Sequence, residues 1–336
     1  HQLKKMKFHL NFTIPPFEQK INYSHKYLFV GSCFTENIGE IMQLYKFNVK
    51  INPNGVLYNP ASMAVALRSY INNKTIGGNE LFYANECWNS WEHHSRFSNT
   101  DKQTCLTTIN SNISSAHDFI KQTDWLFITF GSAFVYKRNE TGELVGNCHK
   151  VPQKEFTKQM LTVNEIVADY KILIRQLKAI NNNLKIILTI SPVRHIREGI
   201  VENNRSKARL IEAVHELVQQ NDNSFYFPAY ELVIDDLRDY RFYNSDLVHP
   251  NEQAINYVFE KLMNSIFDDK TKELFEKIKE IISAKKHRPF NKNTEAYLKF
   301  KTAYMERCSQ LQKDNPILDL KEEIAWFEKK ITEQHH

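Results

Sequence analysis

A series of short, nearly continuous apolar runs, set apart by longer segments with helical spacing, constrains the fold more than any other feature. The runs are Tyr27–Val30, Phe47–Ile51, Trp125–Phe130, Lys185–Ile190 and Phe225–Phe227. A strand with apolar side chains at consecutive positions is buried on both faces, as in a parallel sheet sheathed by helices. Between and after the runs, Thr35–Tyr45, Pro60–Ile71, Asn164–Ile180, Arg205–Gln219 and Asn251–Phe267 carry apolar residues at helical spacing. Asn59 is placed to cap the second of these helices, with Pro60 in its first turn. The alternation predicts an α/β fold: a three-layer α/β/α sandwich around a parallel sheet of about five strands.

From Asp268 the composition shifts toward Lys and Glu and no strand-like run follows. Asp269–Ala284, Thr294–Gln312 and Leu318–Ile331 read as helices. Residues 1–267 are therefore expected to form the main domain and 268–336 a helical extension. That extension either packs on the core or offers a surface for self-association into a homo-oligomer. A chain of 336 residues that is 42 % hydrophobic buries a core without disulfides or metal.

Forty-four basic residues stand against 39 acidic ones, a formal charge of +5, which gives no electrostatic case for a nucleic-acid partner. No window approaches the roughly 18 apolar residues of a membrane span. The five cysteines, at 33, 87, 105, 148 and 308, are odd in number and lack metal-like or redox-like spacing. They point to a reducing compartment, hence the cytoplasm, unless a signal peptide has been removed. Met6 is a candidate start, and His335–His336 a candidate tag remnant.

Two loops carry the candidate chemistry. In the segment from Lys26 to Glu40 a strand runs into Gly31-Ser32-Cys33 and then a helix. Sites in open α/β sheets form at the carboxyl ends of strands. A nucleophile there meets a helix N-terminus, which lowers a thiol pKa and helps hold an oxyanion. Both Ser32 and Cys33 are candidates. Near the other end of the main domain, Asp246-Leu247-Val248-His249 places a carboxylate three residues before an imidazole. Such an Asp orients the His, and the His serves as general base.

Further polar clusters lie between these loops. His93–His94 and Cys148–His149 together offer soft and imidazole ligands for zinc, but adjacent residues rarely ligate one ion, so no metal is expected. Trp88, Trp91, His93 and His94 line a pocket or pack an insertion. Ser191-Pro192-Val193-Arg194-His195 follows a strand, so Arg194 and His195 are candidates for binding a polar or anionic group. Lys207, in the helix beyond, would favour a thiolate if it lay near the sulfur.

The stretch GSCFTENIG at 31–39 resembles the defining motif of the GSCFA family, a bacterial group related to SGNH hydrolases. The resemblance continues through NPNGVLYNP (52–60), WNSWEHHSRFS (88–98), FGSAFVY (130–136), NCHKVP (147–152), SPVRH (191–195), NRSKA (204–208) and DLRDYRFYNSDLVHPN (236–251). It implies an SGNH-hydrolase-like sandwich. The superfamily's first block reads Gly-Asp-Ser with Ser as nucleophile; aligned without a gap, Cys33 takes the place of that Ser. Gly55 resembles the second-block Gly, which gives a backbone N–H to the oxyanion. The third block, Gly-x-Asn-Asp, appears as Gly131-Ser132-Ala133-Phe134, so the oxyanion Asn is missing and Ser132 or Asn147 is a candidate substitute. Asp246 and His249 resemble the last block.

The resemblance implies a cofactor-free hydrolase or acyltransferase acting on a small or carbohydrate-linked acyl ester. Cys33 or Ser32 would act with Asp246 and His249. Gly55, Ser132, Asn147, His149, His94, Arg194 and His195 would contact the oxyanion or substrate. The rival expectations are a binding protein without turnover on the same fold, and an assembly protein acting through its C-terminal helices.

Overall fold

In the computed structural model, which describes residues 10, 12–291 and 294–329, the five apolar runs pair into one sheet. Met6, Ile331, His335 and His336 lie outside the described residues. The strands are β1 (Lys26–Gly31), β2 (Asn48–Ile51), β3 (Trp125–Phe130), β4 (Lys185–Ile190) and β5 (Ser224–Tyr226). Their spatial order is β2-β1-β3-β4-β5. The pairs β1/β3, β3/β4 and β4/β5 are parallel, with Val30 opposite Ile128 and Ile128 opposite Leu188.

The helices are α1 (Cys33–Leu44), α2 (Pro60–Ile71), α3 (Lys102–Ile120), α4 (Val163–Ile180), α5 (Gly199–Gln220) and α6 (Glu252–Ile266). One face of the sheet, with Leu28, Val30, Leu126, Ile128, Ile186 and Leu188, shares a buried cluster with α2, α4 and α5. The alternate positions Tyr27, Phe29, Trp125, Phe127 and Ile187 are buried as well. Phe34 and Ile38 of α1, with Ala254 and Val258 of α6, are buried outside that cluster and give the opposite layer. The fold is therefore the α/β/α sandwich that the unbroken apolar runs imply.

Asn59 caps α2 as expected, its side chain accepting from the Ser62 N–H at 2.8 Å. Three features go beyond the sequence reading. Helix α3 is an additional element; its buried side is a stripe of Cys105, Ile109, Ile113, Ala116 and Ile120. Helix α5 begins at Gly199 rather than Arg205, because Ile200 and Val201 in its first turn are exposed and break the apolar period. Two small antiparallel sheets are also present. One pairs Leu81–Ala84 with Cys87–Ser90; the other has Phe134–Arg138 between Leu144–Val145 and Phe156–Met160.

The chain divides into two compact units. The first contains Lys26–Glu40 and Val49–Leu262. The second contains Pro16–His25, Ile41–Asn48 and the described residues from Met263 onward. Within the second, α7 (Asp269–Lys286), α8 (Glu295–Asp314) and α9 (Lys321–Glu328) bury Ile278, Ile281, Cys308, Leu311 and Phe327. Tyr45 packs on Phe275 at 4.5 Å, and Lys46 pairs with the buried Glu323 at 2.7 Å. No helix among the described residues is long and apolar enough to cross a membrane.

Candidate active site

The strand order reverses between β1 and β3, so the crevice at their carboxyl ends is where a ligand site is expected. The turn leaving β1 is Gly31-Ser32-Cys33. A Cβ on Gly31 would lie 2.6 Å from the Thr129 carbonyl oxygen of β3, so only glycine fits there. Ser32 and Cys33 diverge. The Ser32 side chain is buried at 1 % exposure, and its Oγ has no hydrogen-bond partner among the described residues. Cys33 opens α1 and is half-buried, with its thiol 3.7 Å from the Tyr58 hydroxyl.

The thiol is not held ionised. Burial pushes the Cys33 pKa up, and Glu36 one turn along α1 adds to this; the Tyr58 hydrogen bond opposes it. The start of α1 does not bring the thiol below its ordinary value. Lys207 lies in α5, almost wholly buried, donating to the carbonyls of Gly131 and Ser191 at 2.6 Å each. It fastens the ends of β3 and β4 together.

The loop 52–59 stitches the crevice. Asn52 Oδ1 accepts the Gly31 N–H at 2.8 Å, and the Leu57 N–H donates to the Gly31 carbonyl at 3.0 Å. The Tyr58 carbonyl then accepts the N–H groups of Gly131 and Ser132 at 2.8 and 2.9 Å. One short segment thus joins the turn after β1 to the turn after β3, and its Tyr58 hydroxyl reaches the thiol. His195 packs edge-on against that ring, with centroids 5.4 Å apart. Burial first, then the charges of Lys207 and His249, pushes the His195 pKa down to about 3, so its imidazole is neutral.

Asp246 and His249 lie on the loop before α6. Asp246 Oδ2 pairs with His249 Nδ1 at 2.7 Å, while Oδ1 accepts the N–H groups of Val248 and His249 at 2.9 and 3.0 Å. These backbone donors, then the imidazole, hold the Asp246 carboxyl down to about 2. Leu247, between the two residues, has φ +59, a left-handed conformation that is rare for leucine. Arg194 braces this loop: its N–H donates to the Val248 carbonyl at 3.2 Å and its guanidinium to the Leu247 carbonyl at 3.3 Å. The guanidinium also lies 4.8 and 4.3 Å from the ring centres of Tyr240 and Tyr243. These contacts tie the guanidinium to the loop that carries Asp246 and His249.

Other expected contacts are also spoken for. The Gly55 N–H, expected at an oxyanion, donates to the Asn52 carbonyl at 2.7 Å. Gly55 is a glycine for another reason: its φ is +80, and a Cβ would lie 2.2 Å from the His94 Cβ. Ser132 Oγ accepts from the Phe134 N–H at 3.2 Å and lies 3.4 Å from Ser206 Oγ, inside a buried turn. Ala133, at the position of the missing Asn, is fully buried with its N–H on Ser206 Oγ at 2.7 Å. Asn147 Oδ1 accepts the His149 N–H at 2.8 Å. His149 is itself buried, 2.8 Å from the Ser90 carbonyl and edge-on to Phe82 and Trp91. His94 accepts the Arg96 N–H through Nδ1 at 3.3 Å.

The tryptophans pack internally. Trp91 stacks on Phe82 at 3.6 Å, and Trp88 lies 5.3 Å from Tyr83. Within the segment 88–98, His93 and Phe97 are buried, while Trp88 and Trp91 are half-buried. Among the described residues, no three His, Cys, Asp or Glu side chains are grouped to hold a metal. Sequence reasoning missed Tyr58. Its only signal was a position between the Gly55 loop and the Asn59 cap, at the carboxyl edge of the sheet.

Several solved structures resemble the chain. One is a carbohydrate esterase family 3 protein from Talaromyces cellulolyticus, 9 % identical, covering 76 % of this chain and 99 % of its own, with a TM-score of 0.37. Another is an acetyl xylan esterase from the rumen bacterium Butyrivibrio proteoclasticus, 11 % identical, covering 72 % of this chain and 63 % of its own, with a TM-score of 0.34. Likeness at this level bears on neither substrate nor mechanism. No curated protein matches the chain. The GSCFA family matches residues 26–262 and the GSCFA domain protein C-terminal domain matches residues 278–333, so the chain belongs to the GSCFA family.

Proposed function

We propose that the protein is an acyl-ester hydrolase or acyltransferase working through a thioester on Cys33. The observation that carries this reading is the 2.7 Å pairing of Asp246 with His249, on a loop at the carboxyl edge of the sheet that bears the thiol. With Nδ1–H turned to the carboxylate, Nε2 is the nitrogen left to take a proton. A thiol kept protonated by burial needs such a base.

In acylation, Cys33 Sγ attacks the ester carbonyl carbon as its proton passes to His249 Nε2. The carbonyl π pair moves onto oxygen. That pair then reforms the carbonyl, the C–O bond to the alcohol breaks, and His249 returns its proton to the departing oxygen. Water, or an acceptor hydroxyl, attacks the thioester with His249 again as base, and the thiol is restored. The backbone N–H groups of Cys33 and Phe34 head α1, ahead of those of Thr35 and Glu36, which donate to the Ser32 carbonyl, and are candidate oxyanion donors. No cofactor enters. The resemblance to SGNH hydrolases supports a small or carbohydrate-linked acyl ester as substrate.

One observation favours a second reading, ligand binding without turnover: the side chain at Ala133 offers no donor and its N–H is committed to Ser206. Incubation with an activated acetyl ester, followed by intact-mass measurement, separates the two. Hydrolysis through Cys33 gives an acetyl adduct in wild type and in Ser32→Ala, and none in Cys33→Ala. Absence of both adduct and turnover across a panel of esters, with the fold intact, would favour binding. An adduct lost only in Ser32→Ala would move the nucleophile there.

A further inference from the structure

We infer that the Tyr58 hydroxyl is a catalytic oxyanion donor, occupying the role left empty at Ala133. The inference rests on Cys33 being the nucleophile. Three observations lead to it.

The donors that the superfamily pattern would use at its second and third blocks are otherwise consumed. The Gly55 N–H is held by the Asn52 carbonyl, the Ala133 N–H by Ser206 Oγ, and the Gly131 and Ser132 N–H groups by the Tyr58 carbonyl. Ser132 Oγ is enclosed with Ser206 Oγ and the Phe134 N–H. The side-chain donor that reaches the thiol is Tyr58, with Oη 3.7 Å from Sγ. A tetrahedral oxyanion forms on the carbon bonded to that sulfur, so a donor beside Sγ is beside the developing charge.

The ring is also pre-positioned. The backbone of residues 57–58 is pinned at the Gly31 carbonyl on one side and at the Gly131 and Ser132 N–H groups on the other. His195 closes the ring's edge at 5.4 Å. A donor fixed before the reaction needs no reorganisation as charge develops, which is the source of oxyanion-hole catalysis. Finally, the proton stays available. Burial, with the neighbouring Cys33 next, pushes the Tyr58 pKa up, so the hydroxyl remains a donor at any working pH. The group donates a hydrogen bond only; no proton leaves it, and the acid–base work stays with His249.

The test compares acylation with alkylation in wild type and Tyr58→Phe. Acylation by an activated acetyl ester develops an oxyanion; alkylation of Cys33 by iodoacetamide does not. Tyr58→Phe should slow single-turnover acylation about 100- to 1000-fold, with KM little changed. The alkylation rate at the same pH should stay within a few-fold. Equal falls in both would assign Tyr58 to thiol activation, and no fall in acylation would remove it from the mechanism; either outcome overturns the inference. A wild-type protein alkylated at Cys33 but never acylated there would instead sink the hydrolase reading beneath it. Should Tyr58→Phe fail to fold, 3,5-difluorotyrosine at position 58 serves: its more acidic phenol should give acylation an alkaline fall that wild type lacks and that alkylation does not share. An acylation profile identical to wild type overturns the inference.

Discussion

The Lys207 side chain donates to the Gly131 carbonyl at 2.6 Å from a position only 1 % exposed. With its second bond to Ser191, it clamps two neighbouring strand ends below the crevice. Burial pushes its pKa down to about 7, against roughly 10.4 in an unfolded chain. Between those values the unfolded chain binds a proton that the folded one does not, so stability rises with pH across that window. Below about 7 the cost of the buried charge is fully present. The urea midpoint of wild type should therefore climb between about pH 7 and 10 relative to Lys207→Met. The variant should be less stable by about 2 kcal/mol at pH 9, since two buried carbonyls lose their donor. Parallel pH profiles for the two proteins would refute the clamp's titration.

Asp246→Asn should keep the loop's shape but remove the charge that fixes the His249 tautomer. We expect kcat to fall at least about 100-fold with KM nearly constant. Wild-type Asp246, held down to about 2, stays ionised throughout the mildly acidic range. A depressed carboxylate pKa contributes stability that is present above its unfolded value, about 3.9, and lost as pH falls toward 2. The acid limb of kcat/KM should thus show no inflection near 4; stopped-flow rates in buffers spanning pH 3–7 read this directly.

Arg194 offers a test of positioning against substrate binding. Arg194→Lys keeps the charge but loses the planar group that stacks on Tyr240 and Tyr243. If the guanidinium braces the Leu247 carbonyl, kcat should drop about tenfold, with KM changing less than twofold. A rise in KM for anionic esters alone, with kcat kept, would return Arg194 to the substrate.

Gly55→Ala forces a Cβ toward the His94 Cβ at a residue with φ +80. The strain and the clash should together cost about 1–3 kcal/mol. Differential scanning calorimetry should show this as a lower Tm. An unchanged Tm would mean that the loop 52–59 yields more readily than its hydrogen bonds suggest.

The sheet was legible because strands buried on both faces leave unbroken apolar runs, and each run fell within one or two residues of its strand. Helix α3 was not read, since Asn, Ser and Thr crowd its sequence and favour caps and turns over helix interiors. The small strands 81–84 and 156–160 are too short and too polar to announce themselves. At the site, the Gly-Ser-Cys turn and the Asp-x-x-His spacing are local patterns, and both could be read directly. Where the Gly55 and Ala133 N–H groups point is decided by Asn52 and Ser206, and Ser206 is 73 residues from its partner. No local pattern marks Tyr58, because its carbonyl meets the turn after β3 and its hydroxyl the turn after β1 only in the folded chain.

Asp246 and His249 keep 48 % and 44 % of their side-chain surface in water. A pair so open to solvent is screened, and in the proposed turnover the imidazolium would be steadied mostly by bulk water. Whatever molecule settles over Leu247, itself 53 % exposed, would displace that water and strengthen the attraction between carboxylate and imidazolium. The protein supplies the alignment, and its visitor completes the roof. Bulky esters should accordingly gain in kcat as well as in binding over tiny ones of equal intrinsic reactivity.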